Sequence, residues 1–184
     1  MAPKLKGDLI TVFKMNEELL IEGAIAGNRK MQYAIYEQNK GMMFSMILRI
    51  VVDIAESEDV LQETFIEVFR DLKNFQRKST LSTWMNKIAI RKAIRKTKRQ
   101  IDTDSFSEDY KLEMEDGRDY LTGEDLDRAI KSLPTKCRTV FCMIEVEGYK
   151  HQEVAEMLRI SEGTSKSQLS YAKKLLQQML SEYR

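Results

Sequence analysis

Apolar residues recur at helical spacing along almost the whole chain, and no segment shows the strict alternation that is typical of a strand. Over residues 16–40 this spacing predicts one or two helices, with a break at Gly27-Asn28. Residues 42–54 are apolar on nearly every side, so a separate, buried helix is expected there. The first part of the chain is therefore predicted to be helical.

The next helix is predicted to be amphipathic, because apolar pairs recur every four residues along one side of it: Val60/Leu61, Thr64/Phe65 and Val68/Phe69. A loop is expected over residues 72–79, where this spacing is lost. Ser79 or Thr80 can cap a further helix that runs to about Arg99, because a hydroxyl oxygen accepts hydrogen bonds from the free amides of a first turn.

The last third of the chain predicts four helices. The first starts near Thr122 and ends at Pro134, and the second ends at Gly148. A short helix over residues 151–158, a tight turn at residues 159–161 and a long helix after it are typical of a helix-turn-helix. The predicted fold class is all-α, with two small helical domains and the helix-turn-helix in the second.

Charge is strongly segregated along the chain, although the net charge is only +1. Residues 70–99 carry eleven basic residues and one acid, whereas residues 102–127 carry eleven acids and two bases. Residues 100–121 also lack helical periodicity and are predicted to be an acidic, flexible linker. The predicted domains are therefore residues 1–99 and residues 122–184.

Composition excludes several classes of function. No apolar run approaches the roughly 18 residues of a membrane span, and the first residues lack the apolar core of a secretory signal. A cytoplasmic protein without membrane insertion is therefore expected. His151, Cys137 and Cys142 are too few and too scattered for a His/Cys metal site. No nucleophile–base pair is recognisable, so neither an enzyme nor a cofactor is expected.

The outer side of the amphipathic helix is acidic, with Glu58, Asp59, Glu63 and Glu67 around Gln62. A solvated helix face is the simplest interpretation of this pattern. The alternative is that the face docks a basic surface of a partner protein.

The predicted helix over residues 80–99 is basic along its length, and no Asp or Glu occurs between Lys73 and Ile101. Like charges four residues apart weaken an isolated helix by about 0.2–0.5 kcal/mol a pair, a cost that a bound polyanion removes. Contact with nucleic acid is therefore favoured over a solvated face. In the preceding loop Phe75 is the candidate for stacking on an unpaired base, whereas Trp84 is better explained as a core residue.

The long helix of the helix-turn-helix opens with small polar residues and a lysine, in the order Glu162-Gly163-Thr164-Ser165-Lys166-Ser167-Gln168. Ser161 is the predicted N-cap of this helix. A polar helix start of this kind suits phosphates and base edges in a major groove of DNA.

Two parts of the chain together resemble a known family. Residues 58–65 (EDVLQETF) and 82–89 (STWMNKIA) are similar to region 2 of bacterial sigma factors, above all those of the extracytoplasmic-function (ECF) group. Residues 133–134 (LP), 138–141 (RTVF), 147–149 (EGY), 153–156 (EVAE) and 163–167 (GTSKS) are similar to region 4 of that family. The resemblance covers about residues 16–180.

The resemblance implies a subunit that gives core RNA polymerase its promoter specificity in transcription initiation. It implies that the clamp helices of the largest polymerase subunit bind Glu58, Asp59, Gln62 and Glu63. It implies that the melted minus-ten element is held by Asn74, Phe75, Gln76, Arg77, Lys78, Lys87, Arg91, Lys92, Arg95 and Lys96. It implies that the minus-35 element is contacted by Thr164, Lys166, Ser167, Gln168, Ser170, Tyr171 and Lys173, with Lys166 and Gln168 reaching base edges.

Several residues depart from the family pattern. Arg91 and Arg95 stand where Asn and Asp are usual, and Ser165, Gln168 and Tyr171 stand where Val, Arg and Arg are usual. Arg159 replaces the usual glycine of the turn, where a positive φ costs arginine on the order of 1 kcal/mol. Because most of these changes fall on reading surfaces, the promoter consensus of the family is not transferred.

The implied partners are core RNA polymerase, promoter DNA and an anti-sigma factor, because ECF relatives are commonly held inactive by one. Two alternatives stay open at this point. The first is a two-part helix-turn-helix regulator that binds DNA without polymerase. The second is a protein-interaction adaptor built on the acidic helix.

Overall fold

The computed structural model describes residues 17–103 and 122–181. These residues are helical with no strand, which confirms the all-α prediction. The α-helices are α1 (Glu17–Ile25), α2 (Arg29–Val51), α3 (Ile54–Asp71), α4 (Leu81–Thr103), α5 (Gly123–Ser132), α6 (Thr135–Phe141), α7 (His151–Leu158) and α8 (Glu162–Met179). A 3₁₀ turn spans Leu72–Asn74 and a π turn spans Cys142–Val146.

The chain divides into two compact units. Unit 1 is drawn from Met1–Ile47 and Asp53–Lys92, and unit 2 from Leu48–Val52 and Ala93–Arg184. The helix predicted to end near Arg99 continues to Thr103, so the first residues of the predicted linker are helical. Residues 104–121 of that linker lie outside the described residues, and the predicted domain boundaries stay a prediction.

In unit 1 the predicted break at Gly27-Asn28 is confirmed, since Gly27 has φ +82° and the Asn28 side chain accepts from the amide of Lys30 at 3.0 Å. The separate helix predicted for residues 42–54 is wrong. A single helix, α2, runs through this region, and it is anchored by buried residues on both sides of Gly41: Ala34 and Ile35 before it, and Met43, Met46, Ile47 and Ile50 after it. The exposed Gly41 therefore lies inside a helix.

Helix α3 begins directly after α2, through a sharp corner at Val52 (φ +72°). Asp53 is its N-cap, with its carboxylate accepting from the amide of Glu56 at 2.8 Å. The predicted apolar side of α3 is confirmed, because Val60, Leu61, Thr64, Phe65 and Val68 are all buried. The opposite side of α3 is consequently exposed.

A non-helical segment precedes α4, as predicted, although its first residues form the 3₁₀ turn. The Thr80 hydroxyl accepts from the amide of Thr83 at 3.2 Å and caps α4. Met85, Ala89 and Ala93 on α4 are fully buried, which leaves the basic residues on its other sides.

Unit 2 contains the helix-turn-helix. Thr122 and Asp125 close the start of α5 with a reciprocal capping box. Helix α7 has the predicted bounds, and Arg159 ends it at φ +56°, ψ +45° in the left-handed region. The Ser161 hydroxyl accepts from the amide of Thr164 at 2.9 Å, which confirms the predicted N-cap of α8. Buried apolar residues hold α6, α7 and α8 together: Val140, Met143, Val154, Leu169, Ala172 and Leu176.

Candidate nucleic-acid and partner interfaces

The outer face of α3 is the first candidate interface. Glu58, Asp59, Gln62 and Glu63 are all exposed on it. At 100° per residue, Ile66 falls at the centre of this face, directly opposite the buried stripe. Its side chain is 68% exposed. The sequence reasoning missed Ile66, although its spacing of seven residues from Asp59 was a signal that could have found it.

A groove adjoins this face, between α2 and α3. It has a volume of about 470 Å³ and is lined by Tyr36, Lys40, Gly41, Phe44, Glu58, Leu61 and Gln62. Glu58 and Gln62 belong both to the groove and to the outer face. Lys40 pairs with Glu37, and its ammonium lies 5.3 Å from the centre of the Tyr36 ring. No local pattern in the sequence indicates a groove at this place.

The basic residues of α4 do not all have the same environment. Arg91, Arg95 and Lys96 are exposed, and Lys87 is half-buried. Lys92 differs from them, because its side chain is only 14% exposed and its ammonium lies 3.0 Å from Glu67 and 3.4 Å from Glu63. The charge of Lys92 is thus already paired with carboxylates of α3. Lys92 thus links α3 and α4 in this structure, and its contact with DNA stays a prediction.

Ion pairs connect the loop before α4 to α1. Asn74, Gln76, Arg77 and Lys78 are exposed. The Arg77 guanidinium lies 3.6 Å from Glu18 and 3.7 Å from Glu22, and Arg77 has φ +55°.

Phe75 in this loop is half-buried, and its ring centre lies 5.3 Å from that of Trp84, at a tilt of 39°. The Phe75 ring that was predicted to stack on a base therefore already contacts Trp84 on one side.

The start of α8 presents polar residues to solvent. Lys166, Ser167, Ser170 and Lys173 are exposed, while Thr164 and Tyr171 are half-buried. Lys166 pairs with Glu162 at 2.7 Å, and this hydrogen bond lowers the pKa of the Glu162 carboxyl. Lys173 pairs with Glu145 of the π turn at 2.8 Å. The exposed side of the helix-turn-helix is accordingly a mixed surface of charges and hydroxyls.

Gln168 is not part of that surface. Its side chain is 2% exposed and accepts a hydrogen bond from the Cys137 thiol at 3.1 Å. The prediction that Gln168 reads base edges is therefore wrong in this structure, because its position on α8 faces the core of unit 2. Ser165, which is fully buried, likewise bonds inward to His151 Nδ1 at 2.9 Å.

No group of three or more His, Cys, Asp or Glu residues within residues 17–103 and 122–181 is arranged to hold a metal ion. Cys137 and Cys142 are free and buried, and burial raises the pKa of the Cys142 thiol to about 12. Over the same part of the chain, none of the helices combines the length and the apolar character that crossing a bilayer requires.

Comparison with known proteins places this arrangement in a family. The family models for sigma-70 region 2 and sigma-70 region 4 match residues 35–101 and 123–176. The chain is 26% identical over 180 residues to the RNA polymerase sigma-H factor of Pseudomonas aeruginosa, a match that covers 89% of this chain and 93% of that protein. It is 27% identical over 158 residues to the ECF RNA polymerase sigma factor SigE of Mycolicibacterium smegmatis, covering 81% of this chain and 61% of that protein.

A solved structure shows the same fold. The sigma factor RpoE from Bartonella quintana, in complex with the anti-sigma factor NepR, aligns with a TM-score of 0.54 and 22% identity. The alignment covers 81% of this chain and 96% of that chain.

A basic helix together with a helix-turn-helix is typical of a transcription protein that binds DNA. Because both region models match and together span more than half of the chain, it belongs to the sigma-70 family of RNA polymerase sigma factors, in the ECF group. Its function is to direct promoter-specific initiation of transcription with RNA polymerase.

Proposed function

We propose that the outer face of α3 is the surface by which this sigma factor docks on core RNA polymerase. Asp59, Gln62 and Glu63 are exposed along one side of a helix that is anchored by its buried stripe. A rigid acidic face attracts a basic helical partner and orients it. The resemblance to region 2 supports the clamp helices of the largest polymerase subunit as that partner.

The second part of the proposal assigns the minus-ten element to the loop over residues 74–79 and to α4. Arg91, Arg95 and Lys96 provide exposed positive charge for phosphates, with Lys87 at the edge of the same side. Asn74 and Gln76 offer exposed amides for base edges that become accessible when the duplex is melted. Lys92 is left out of this contact set because its side chain, unlike the paired but exposed Lys166 and Lys173, is only 14% exposed and is held between two carboxylates of α3.

The third part assigns the minus-35 element to the start of α8. Lys166 and Ser167 lie in its first turns, exposed, where a recognition helix meets base edges. Ser170 and Lys173 lie further along and suit phosphate contacts, with Thr164 and Tyr171 at the margin. The observation that carries the whole assignment is that an acidic face, a run of basic side chains and a polar helix start are provided by three different helices, α3, α4 and α8.

Three further statements belong to the same proposal. The chain acts as a polymerase subunit and has no catalytic activity of its own. It works in the cytoplasm, where the polymerase is. An anti-sigma factor holds it inactive, which is supported by the solved relative that is bound to the anti-sigma factor NepR.

The decisive experiment is run-off transcription with core polymerase on a promoter library. We expect transcripts from a specific subset of promoters only when the protein is added. Duplex binding by the free protein with no transcript from active core polymerase would instead support a regulator that acts without polymerase.

The docking surface is tested separately with the double substitution Asp59→Ala, Gln62→Ala. This variant is expected to fold but to lose capture of core polymerase, because both side chains are exposed and make no contribution to the core. Unchanged capture would show that the acidic face is not the docking surface.

A further inference from the structure

Nothing in the packing of the described residues of unit 1 requires a glycine at position 41. It lies in the interior of α2, where a glycine weakens a helix relative to alanine. A Cβ added at this position would meet no atom within 4 Å, and its φ lies outside the left-handed region. Neither close packing nor backbone conformation therefore explains the absence of a side chain.

The position of Gly41 suggests what the missing side chain makes room for. Gly41 is exposed and lines the groove between α2 and α3. Any larger residue at this point would narrow the groove. We propose that the groove receives one apolar side chain from the basic polymerase helix that docks on the outer face of α3, an inference that rests on the docking function proposed above.

The lining of the groove favours an apolar occupant. Leu61 is 8% exposed and, with Phe44 and the ring of Tyr36, supplies apolar surface that water now covers. The two charged lining residues are Lys40, which pairs with Glu37, and Glu58, so the lining carries no net negative charge that would attract a basic side chain. The groove thus differs in its chemistry from the acidic face next to it.

Charge complementarity sets where the basic residues of the same partner lie. Asp59 and Glu63 are exposed on the outer face, one helical turn apart, and attract cations outside the groove. Glu58 and Gln62 form the ridge between the two areas. A helix crossing this ridge places an apolar side chain on one side and basic side chains on the other.

Ile66 completes this surface. It is 68% exposed at the centre of the acidic face, and a partner that covers the face also covers it. Interfaces commonly have an apolar centre within a charged rim. The docking surface therefore consists of the groove, the ridge and Ile66, and the partner segment is an amphipathic basic helix.

Two matched pairs of full-length variants test the proposal by their affinity for core polymerase. Gly41→Phe fills the opening of the groove, whereas Gly41→Ala improves the helix and leaves the groove open. We expect Gly41→Phe to weaken binding about tenfold or more, as burial of one apolar side chain implies, and Gly41→Ala to bind normally. Thermal denaturation of both variants, as a control, shows whether each is folded.

The second pair compares two isoleucines of the same helix. Ile66→Ser is expected to weaken binding about fivefold, whereas Ile54→Ser should not, because Ile54 is 63% exposed but lies a third of a turn away from the centre of the face. Equal binding by Gly41→Phe and Gly41→Ala would overturn the groove proposal. If Asp59→Ala, Gln62→Ala also binds normally, the proposed docking face fails as well.

Discussion

The thiol of Cys137 on α6 donates a hydrogen bond to the amide oxygen of Gln168 on α8, across 3.1 Å in the core of unit 2. Both side chains are at most 2% exposed. Helix α8, to which we assign the minus-35 contacts, is therefore anchored through one of its own polar side chains. This contact has a direct consequence for stability.

Gln168→Ala is expected to lower the free energy of unfolding by about 1–3 kcal/mol, because it removes a buried hydrogen bond and leaves a cavity. The matched control is Gln177→Ala on the same helix, where the side chain is exposed and the change should stay within about 0.5 kcal/mol. Urea denaturation measures both values. Equal values for the two variants would contradict the burial of Gln168.

The basic residues of α4 are expected to fall into two groups. Arg91→Ala and Arg95→Ala should each reduce the slope of log affinity against log salt by about 1, since each removes one phosphate contact. Lys92→Ala should leave the slope unchanged and lower stability instead, because its ammonium pairs with Glu63 and Glu67. The measurement is promoter binding by the complex with core polymerase over a range of salt. A change of slope for Lys92→Ala would show that Lys92 does contact DNA.

Arg159→Gly is expected to stabilise the protein by about 1 kcal/mol, because Arg159 has φ +56°, where glycine carries no steric penalty. As a control, Gln152→Gly in helix α7 should lower the free energy of unfolding by about 1 kcal/mol, because glycine weakens a helix. Thermal and urea denaturation report both signs. Destabilisation by Arg159→Gly would mean that the arginine side chain makes a contact that outweighs the strain.

Acid sensitivity is expected to arise in part from Asp127 on α5. Burial alone would raise the pKa of Asp127, but hydrogen bonds from Lys131 at 2.6 Å and Arg49 at 2.9 Å lower it below its ordinary value. A folded-state pKa below the unfolded value of about 3.9 gives stability that is present above pH 4 and is lost as the pH falls through the folded pKa.

Asp127→Asn should therefore be less stable than the parent protein near pH 6, with the difference shrinking towards pH 3. The exposed Glu156→Gln serves as the control, and free energies of unfolding at several pH values provide the comparison. A difference that is independent of pH would exclude this origin.

Cys142 is expected to resist alkylation in the folded protein. Burial raises the pKa of its thiol to about 12, so the reactive thiolate is scarce at pH 8. Labelling with iodoacetamide, followed by mass spectrometry, should become fast only when urea unfolds the chain. Rapid labelling in native buffer would contradict the buried environment.

Much of the fold follows from the sequence, because apolar spacing and caps are local signals. The bounds of α7, the Ser161 cap and the break at Gly27 were all predicted and are confirmed. The separation of residues 42–54 from the preceding helix was predicted wrongly, since buried residues before and after Gly41 keep α2 continuous through this glycine. A propensity at one residue does not outweigh burial along a whole helix.

The residues of the candidate surfaces were predicted less completely than the helices, because exposure depends on how helices pack together. Which face of a helix is buried depends on its neighbours in space, and this is not visible in the sequence of the helix alone. Lys92 was assigned to DNA, but in the structure it pairs with α3. Gln168 was also assigned to DNA, but its side chain lies in the core of unit 2. The groove beside Gly41 forms only where α2 and α3 pack side by side, so the sequence of neither helix predicts it.

The capping box of Thr122 and Asp125 has an implication for how this chain tolerates change. The Asp125 carboxylate accepts from the Thr122 amide at 2.9 Å, and the Thr122 hydroxyl accepts from the Asp125 amide at 3.2 Å. The first turn of α5 is thus capped by Thr122 and Asp125 themselves. Insertions, deletions or foreign sequence placed upstream of Thr122 are therefore expected to leave this first turn of α5 intact, so Thr122 is a suitable point at which to join the second half of this chain to another sequence.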